Sequence, residues 1–195
     1  GLGEETRGGG RSIVDLPETN PTRVGLAAPK LVEPLLARAG TMTYAPEPFG
    51  LRPAREAAAS DLEARGIAAH PDRTFLSAST SEAYAWLFKL LCDPGDEVLV
   101  PAPSYPLFSY LAEVEAIRVR PYPLVREEGF AIDLDRLAGA ITPRTRAIVV
   151  VHPNNPTGTL VAERDARGLD RLAAERGLAI VSDEVFRGYV FSPAA

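Results

Sequence analysis

The chain has 195 residues, 46% of them hydrophobic and 24% charged, the balance of an ordinary soluble globular protein with enough length for one sizeable core. Its formal net charge of -5 argues against nucleic acid or an anionic membrane surface as the main partner, and no stretch approaches the apolar length needed to cross a bilayer. Cys92 is the only cysteine, so no internal disulfide is possible, and a reducing, cytoplasmic setting is the simplest expectation.

Along the chain, Gly1–Gly10 lacks both the apolar core of a signal peptide and the preceding strand and third glycine of a dinucleotide fingerprint. It reads as a flexible terminus. Residues 1–52 are rich in Pro and Gly and read as an N-terminal arm with part of a small domain. They contain one expected helix, Leu31–Ala39, ended by Gly40. Residues 53–195 read as part of a large domain. It opens with a helix from Pro53 to Arg65 closed by Gly66, followed by a strand over Arg73–Ser77 and a helix over Ser81–Leu91. Asp93-Pro94-Gly95-Asp96 is a turn, because Pro presets φ at its second position and Gly accepts positive φ at its third. Strands are then expected at Glu97–Val100, Ile117–Pro121, Arg146–Val151 and Leu178–Ser182. The intervening helices are expected at Pro106–Glu115, Asp133–Ala140 and Ala162–Arg176. Strands alternating with helices indicate an α/β fold, a mostly parallel sheet flanked by helices, whose ligands bind at the carboxyl ends of the strands.

Four loops fall at those ends. Ser79-Thr80-Ser81-Glu82 offers hydroxyls and unpaired N–H groups at a helix start, a cup for phosphate. The plainer reading is an ordinary helix cap. Tyr105, in Pro103-Ser104-Tyr105-Pro106, stands in a loop stiffened by prolines. It can stack on a flat ring or simply pack against the next helix. Asn154 and Asn155 follow the apolar run Ala147–Val151 and precede Pro156-Thr157-Gly158. A directed amide there can donate to a phenolate-like oxygen, and the same residues also make common turns. Asp183 ends the run Leu178–Val181, where a carboxylate needs a partner: a protonated pyridine nitrogen, a salt bridge or a helix start. An amide and a carboxylate at the tips of successive strands suit a hydroxypyridine ring, so pyridoxal 5'-phosphate (PLP) is the leading cofactor. A metal-linked Asp-Glu pair of the P-loop kind is not supported, because the chain has no Gly-Lys-Ser/Thr loop. His152 reads as a hydrogen-bonded structural residue.

Taken together and in this order, Asp93-Pro94-Gly95-Asp96-Glu97-Val98, Pro103-Ser104-Tyr105-Pro106, Asn155-Pro156-Thr157-Gly158 and Ser182-Asp183-Glu184-Val185-Phe186 resemble the fold-type I PLP enzymes, specifically the class I/II aminotransferases. The resemblance runs from about Tyr44 to the C-terminus. It implies that residues 53–195 are part of the PLP-binding large domain. Ser79, Thr80 and Ser81 would hold the phosphate, Tyr105 would stack on the ring, Asn155 would bind the 3-hydroxyl and Asp183 would pair with the ring nitrogen. Tyr44 matches a tyrosine that reaches the phosphate of a neighbouring subunit, which implies a homodimer acting on an amino acid and a 2-oxo acid. Asn20-Pro21-Thr22 is a looser match to a segment that lines the substrate pocket.

The chain departs from the family pattern in three ways. Phe186 stands where the family usually has a tyrosine that donates to the 3-hydroxyl, a loss of about 1 kcal/mol; whether Tyr189 compensates is a question the sequence leaves open. Ser79 replaces a common glycine. The lysine that holds the cofactor covalently and the arginine that clamps the substrate carboxylate are expected beyond residue 195, so the chain reads as an inactive fragment with no catalytic residue of its own. Lys89 lies nine residues past Thr80, about 13 Å along a helix, too far to replace that lysine. Lys30 is expected to be exposed. A PLP-dependent carbon–sulfur lyase, a related cyclopropane-forming synthase, and a non-catalytic PLP-fold partner module remain as alternatives.

Overall fold

The computed structural model describes Arg23, Gly25, residues 29–37 and residues 44–189. The chain divides into two compact units, Gly1–Ala54 and Arg55–Ala195. In the first unit a helix, α1, spans Pro29–Leu36. It starts before the expected Leu31 and has ended before Ala39, while Gly40 and Asn20–Thr22 lie outside the described residues. Tyr44, in the same unit, is 91% exposed.

Helix α2 covers Arg52–Ala64, with Gly66 just beyond it at φ +81°. Next in the chain come α3 (Thr80–Leu91), β1 (Glu97–Ala102), α4 (Leu107–Val114), β2 (Arg118–Val125), β3 (Ala131–Ile132), α5 (Leu134–Ala140), β4 (Thr145–Val151), α6 (Glu163–Arg176) and β5 (Ala179–Asp183). The sheet order is β3-β2-β1-β4-β5. Strands β2, β1, β4 and β5 run parallel, and only the short β3 is antiparallel. This is the expected α/β architecture.

The central strands β1 and β4 are buried almost throughout because both faces of the sheet are covered there. Side chains alternate along each strand. Val98, Val100, Ala147, Val149 and Val151 therefore face one layer, with Tyr84 and Phe88 of α3 and Phe108 and Ala112 of α4. Leu99, Ile148 and Val150 face the other, with Leu137 of α5 and Leu169 of α6. The Asp93–Asp96 turn forms as read: Asp96 N–H donates to Asp93 O at 3.0 Å, and Gly95 has φ +88°. Arg146 then grips the Asp96 carboxylate at 2.8 and 3.3 Å, at the N-terminal edge of the sheet.

Three expectations are corrected. Arg73–Ser77 is not a strand. Pro71–Arg73 is a single 3-10 turn, whose start His70 caps by accepting from Asp72 N–H, and residues 74–77 join no ladder among the described residues. The β-prone composition is there, but a strand needs a neighbour, and Phe75 and Leu76 stay 57% and 37% exposed. Strand β2 runs through Pro121 and Pro123 to Val125. Arg118 N–H bonds Asp96 O at 2.8 Å, so even-numbered positions of β2 face β1. The missing N–H groups of Pro121 and Pro123 fall on the outer side, where the ladder needs no donor. Strand β3, unread in the sequence, pairs with Leu124 and Val125 after a turn with Gly129 and Phe130 at positive φ. No helix among the described residues is long and apolar enough to cross a membrane.

Candidate active site

Parallel strands bring the carboxyl ends of β1, β4 and β5 to one edge. The chain leaves β1 towards β2 on one side and returns to β4 on the other. A crevice therefore opens between the β1 and β4 tips, the position where open α/β sheets bind ligands. Asn154, 5% exposed, bridges it. Its Nδ2 donates to Pro103 O at 3.3 Å and to Thr157 Oγ1 at 2.9 Å, tying the loop after β4 to the loop that carries Tyr105. Gly158, at φ +70°, closes the turn by donating to Asn154 O at 2.7 Å. The sequence reading put its weight on Asn155, and the fastening role of Asn154 was missed. The signal was the doubled asparagine, since adjacent residues in an extended loop point to opposite sides. The Asn155 side chain is half-buried and makes no hydrogen bond among the described residues, while Tyr105 is 48% exposed.

Asp183 pairs with Val151 across the β4–β5 ladder, and its carbonyl accepts from His152 N–H at 2.8 Å. The Asn155 loop and the Asp183 carboxylate thus leave adjacent strand tips. The carboxylate is held by two neutral donors, Val185 N–H to Oδ1 at 3.0 Å and Tyr84 Oη to Oδ2 at 2.8 Å. No cation forms an ion pair with it among the described residues. Tyr84 lies one turn past Thr80 on α3, so this bond ties the start of that helix to the end of β5. Burial above all, and then the Asp183 charge and hydrogen bond, push the Tyr84 hydroxyl well above the usual phenol range, so it stays a donor. Tyr84 was missed in the sequence because it occupies an apolar face of α3. The available cue was a tyrosine at a core position, whose hydroxyl needs a partner.

At the start of α3, Ser79 is the cap. Its Oγ accepts from Glu82 N–H at 3.1 Å, while Glu82 Oε2 accepts from Ala78 N–H at 2.6 Å. The plain capping role is therefore present. The same geometry leaves the N–H groups of Thr80 and Ser81 without helical acceptors, with Thr80 exposed and Ser81 partly buried.

The neighbouring residues take structural parts. His152 Nδ1 accepts from Val161 N–H at 2.8 Å, which fixes the proton on Nε2. Burial is the main cause holding its pKa below the usual 6.5, with Glu184 opposing and Arg187 assisting. The unfolded chain then takes up a proton as the pH falls through about 6.5 before the folded one does, so stability is full above that value and declines below it. In urea titrations between pH 7 and 5, the wild type should lose stability more steeply than His152→Gln, whose amide oxygen can accept from Val161. Equal slopes would contradict this. Lys89 pairs with Glu115 on the surface and not with any residue of the strand-tip edge. The side chain of Lys30 lies outside the described residues. Phe186 packs edge-on against Tyr189, with ring centroids 6.2 Å apart.

Together, a parallel sheet with a switch point, a helix start facing its tips and an anionic strand end define a PLP fold-type I architecture. Comparison with known proteins gives the same answer. The family model for aminotransferases of class I and II matches residues 14–195. The aspartate/prephenate aminotransferase of Thermus thermophilus is 37% identical over 94% of this chain and 50% of its own length. The glutamate-pyruvate aminotransferase AlaA of Escherichia coli is 29% identical over 95% of this chain and 46% of its own. Among solved structures, the alanine aminotransferase from Pyrococcus furiosus superposes with a TM-score of 0.82 at 30% identity, covering 94% of this chain and 47% of that one. The chain belongs to the class I and II aminotransferase family, whose cofactor is PLP. It spans about half the length, or less, of the curated relatives it matches.

Proposed function

We propose that the complete protein is a PLP-dependent aminotransferase that moves an amino group between an amino acid and a 2-oxo acid, and that it works as a cytoplasmic homodimer. The observation that carries this reading is Asp183: a carboxylate at a switch-point edge, oriented by two neutral donors and with no cation paired to it among the described residues. One lone pair on each oxygen is already engaged. What remains is acceptor capacity and negative charge, which a protonated ring nitrogen complements. Bound PLP supplies an electron sink at the substrate α-carbon once its ring nitrogen is protonated.

The chain's own residues do the holding. Thr80 and Ser81 offer free N–H groups and hydroxyls to the phosphate, with Ser79 capping the helix beside them. Asn155 offers its amide to the 3-hydroxyl, Tyr105 covers a ring face and Asp183 keeps the nitrogen protonated. Tyr44, exposed in the first unit, fits a role at the phosphate of the neighbouring subunit. Residues 1–52 serve as arm and part of the small domain, and residues 53–195 as part of the cofactor-binding large domain.

Lys89 pairs with Glu115 away from the strand tips and Lys30 is given no role at the ring in this reading, so residues 1–195 alone are proposed to hold the cofactor without turnover. The relatives' names direct the assay: aspartate, glutamate and alanine are offered to the protein expressed from the complete reading frame, each with a 2-oxo acid. Amino transfer dependent on the 2-oxo acid is the expected result. Release of ammonia or thiol without that dependence would instead identify a carbon–sulfur lyase. Failure to bind PLP would leave the partner-module reading.

A further inference from the structure

Tyr84 is a buried tyrosine with a partner that a packing role alone does not explain. It is 5% exposed, and its ring is fixed edge-on against Phe108, with centroids 5.1 Å apart at 86°, and tilted against Phe88 at 5.7 Å. With the ring locked on both sides, the hydroxyl has one place to go, and it meets Asp183 Oδ2 at 2.8 Å. The other carboxylate oxygen is pinned by Val185 N–H, so both ends of the group are fixed and it cannot rotate without breaking a bond. A lysine or arginine in place of Tyr84 would also fix the carboxylate, but it would neutralise the charge. A neutral hydroxyl orients the group and leaves the charge available. The helix that carries Tyr84 is also the one that begins at Thr80. One rigid element thus joins the candidate phosphate grip to the carboxylate offered to the ring nitrogen.

We propose that Tyr84 is a positioning residue: its hydroxyl, reaching from the helix that begins at the candidate phosphate grip, aims the Asp183 carboxylate at the pyridine nitrogen. This inference rests on the PLP reading of the site. It is specific to the ring nitrogen, so it separates from a general contribution to packing. A carboxylate free to turn presents its charge to the nitrogen for part of the time only, which weakens a charge-assisted hydrogen bond and leaves the phosphate contacts untouched.

The test uses apoenzyme expressed from the complete reading frame, titrated with pyridoxamine 5'-phosphate and with its 1-deaza analogue, in which C–H replaces the ring nitrogen. Wild type should prefer the nitrogen-bearing ligand. In Tyr84→Phe, which keeps the ring packing, that preference should shrink roughly tenfold, with the deaza affinity unchanged. The nitrogen-15 resonance of bound labelled ligand should move towards the unprotonated position at a lower pH than in wild type. Undiminished preference in the variant would overturn the proposal, and so would equal weakening of both ligands, the mark of a merely structural role. No preference in the wild type itself would fail the cofactor reading and not Tyr84 alone.

Discussion

Replacing Asp183 by alanine in the complete protein is expected to lower kcat/KM for amino transfer by at least roughly a hundredfold, and towards a few thousandfold if the ring nitrogen is well shielded from water. Removing one partner of a shielded ion pair costs about 3–5 kcal/mol, and each 1.36 kcal/mol is about tenfold in rate. The loss should fall mainly on kcat, because the charge matters most when electrons move into the ring. Asp183→Asn keeps the shape and one acceptor oxygen, to which Tyr84 can still donate, but not the charge, so it should be nearly as slow as alanine. The alanine variant should also lose about 1–3 kcal/mol of stability, because the buried Tyr84 hydroxyl is left without its acceptor. Steady-state kinetics of both variants checks the expectation, and a loss of less than tenfold in either contradicts it.

The second large effect is on stability. Phe88 is fully buried in the layer between α3 and the sheet, against Tyr84 and the valines of β1 and β4. Phe88→Ala should destabilise the protein by about 3–5 kcal/mol, the transfer loss plus the cavity left behind, read as a shift of the denaturation midpoint. The consequence reaches the site, because Phe88 seats the helix whose first turn carries Thr80 and Ser81 and whose second carries Tyr84. Cofactor affinity should fall along with stability. Phe88→Leu, closer in volume, should recover most of both.

The sheet was legible where a run of residues decides its own fate. Ala147–Val151 is apolar at every position because two layers cover it, and alternate residues sort into the two layers as a strand requires. The Asp93–Asp96 turn was legible for the same reason, since Pro and Gly restrict the backbone locally. Residues 74–77 were not, because a β-prone segment becomes a strand only beside another, and that is a property of the whole chain. Nor was β3, whose two residues are too few to leave a period. The loops of the site could be read as loops, and their types pointed to a cofactor. Which asparagine turns inward, and that a core tyrosine reaches Asp183, depend on residues 51 and 99 positions apart in sequence meeting in space. Local pattern carries no record of such meetings.

The most direct test is a crystal structure of the complete protein with PLP. The account predicts the pyridine nitrogen within about 2.7–3.2 Å of the Asp183 carboxylate, the 3-hydroxyl on Asn155 and the phosphate on the first turn of α3. A ring bound elsewhere, or an Asp183 carboxylate turned onto a protein cation with its back to the cofactor, would contradict it.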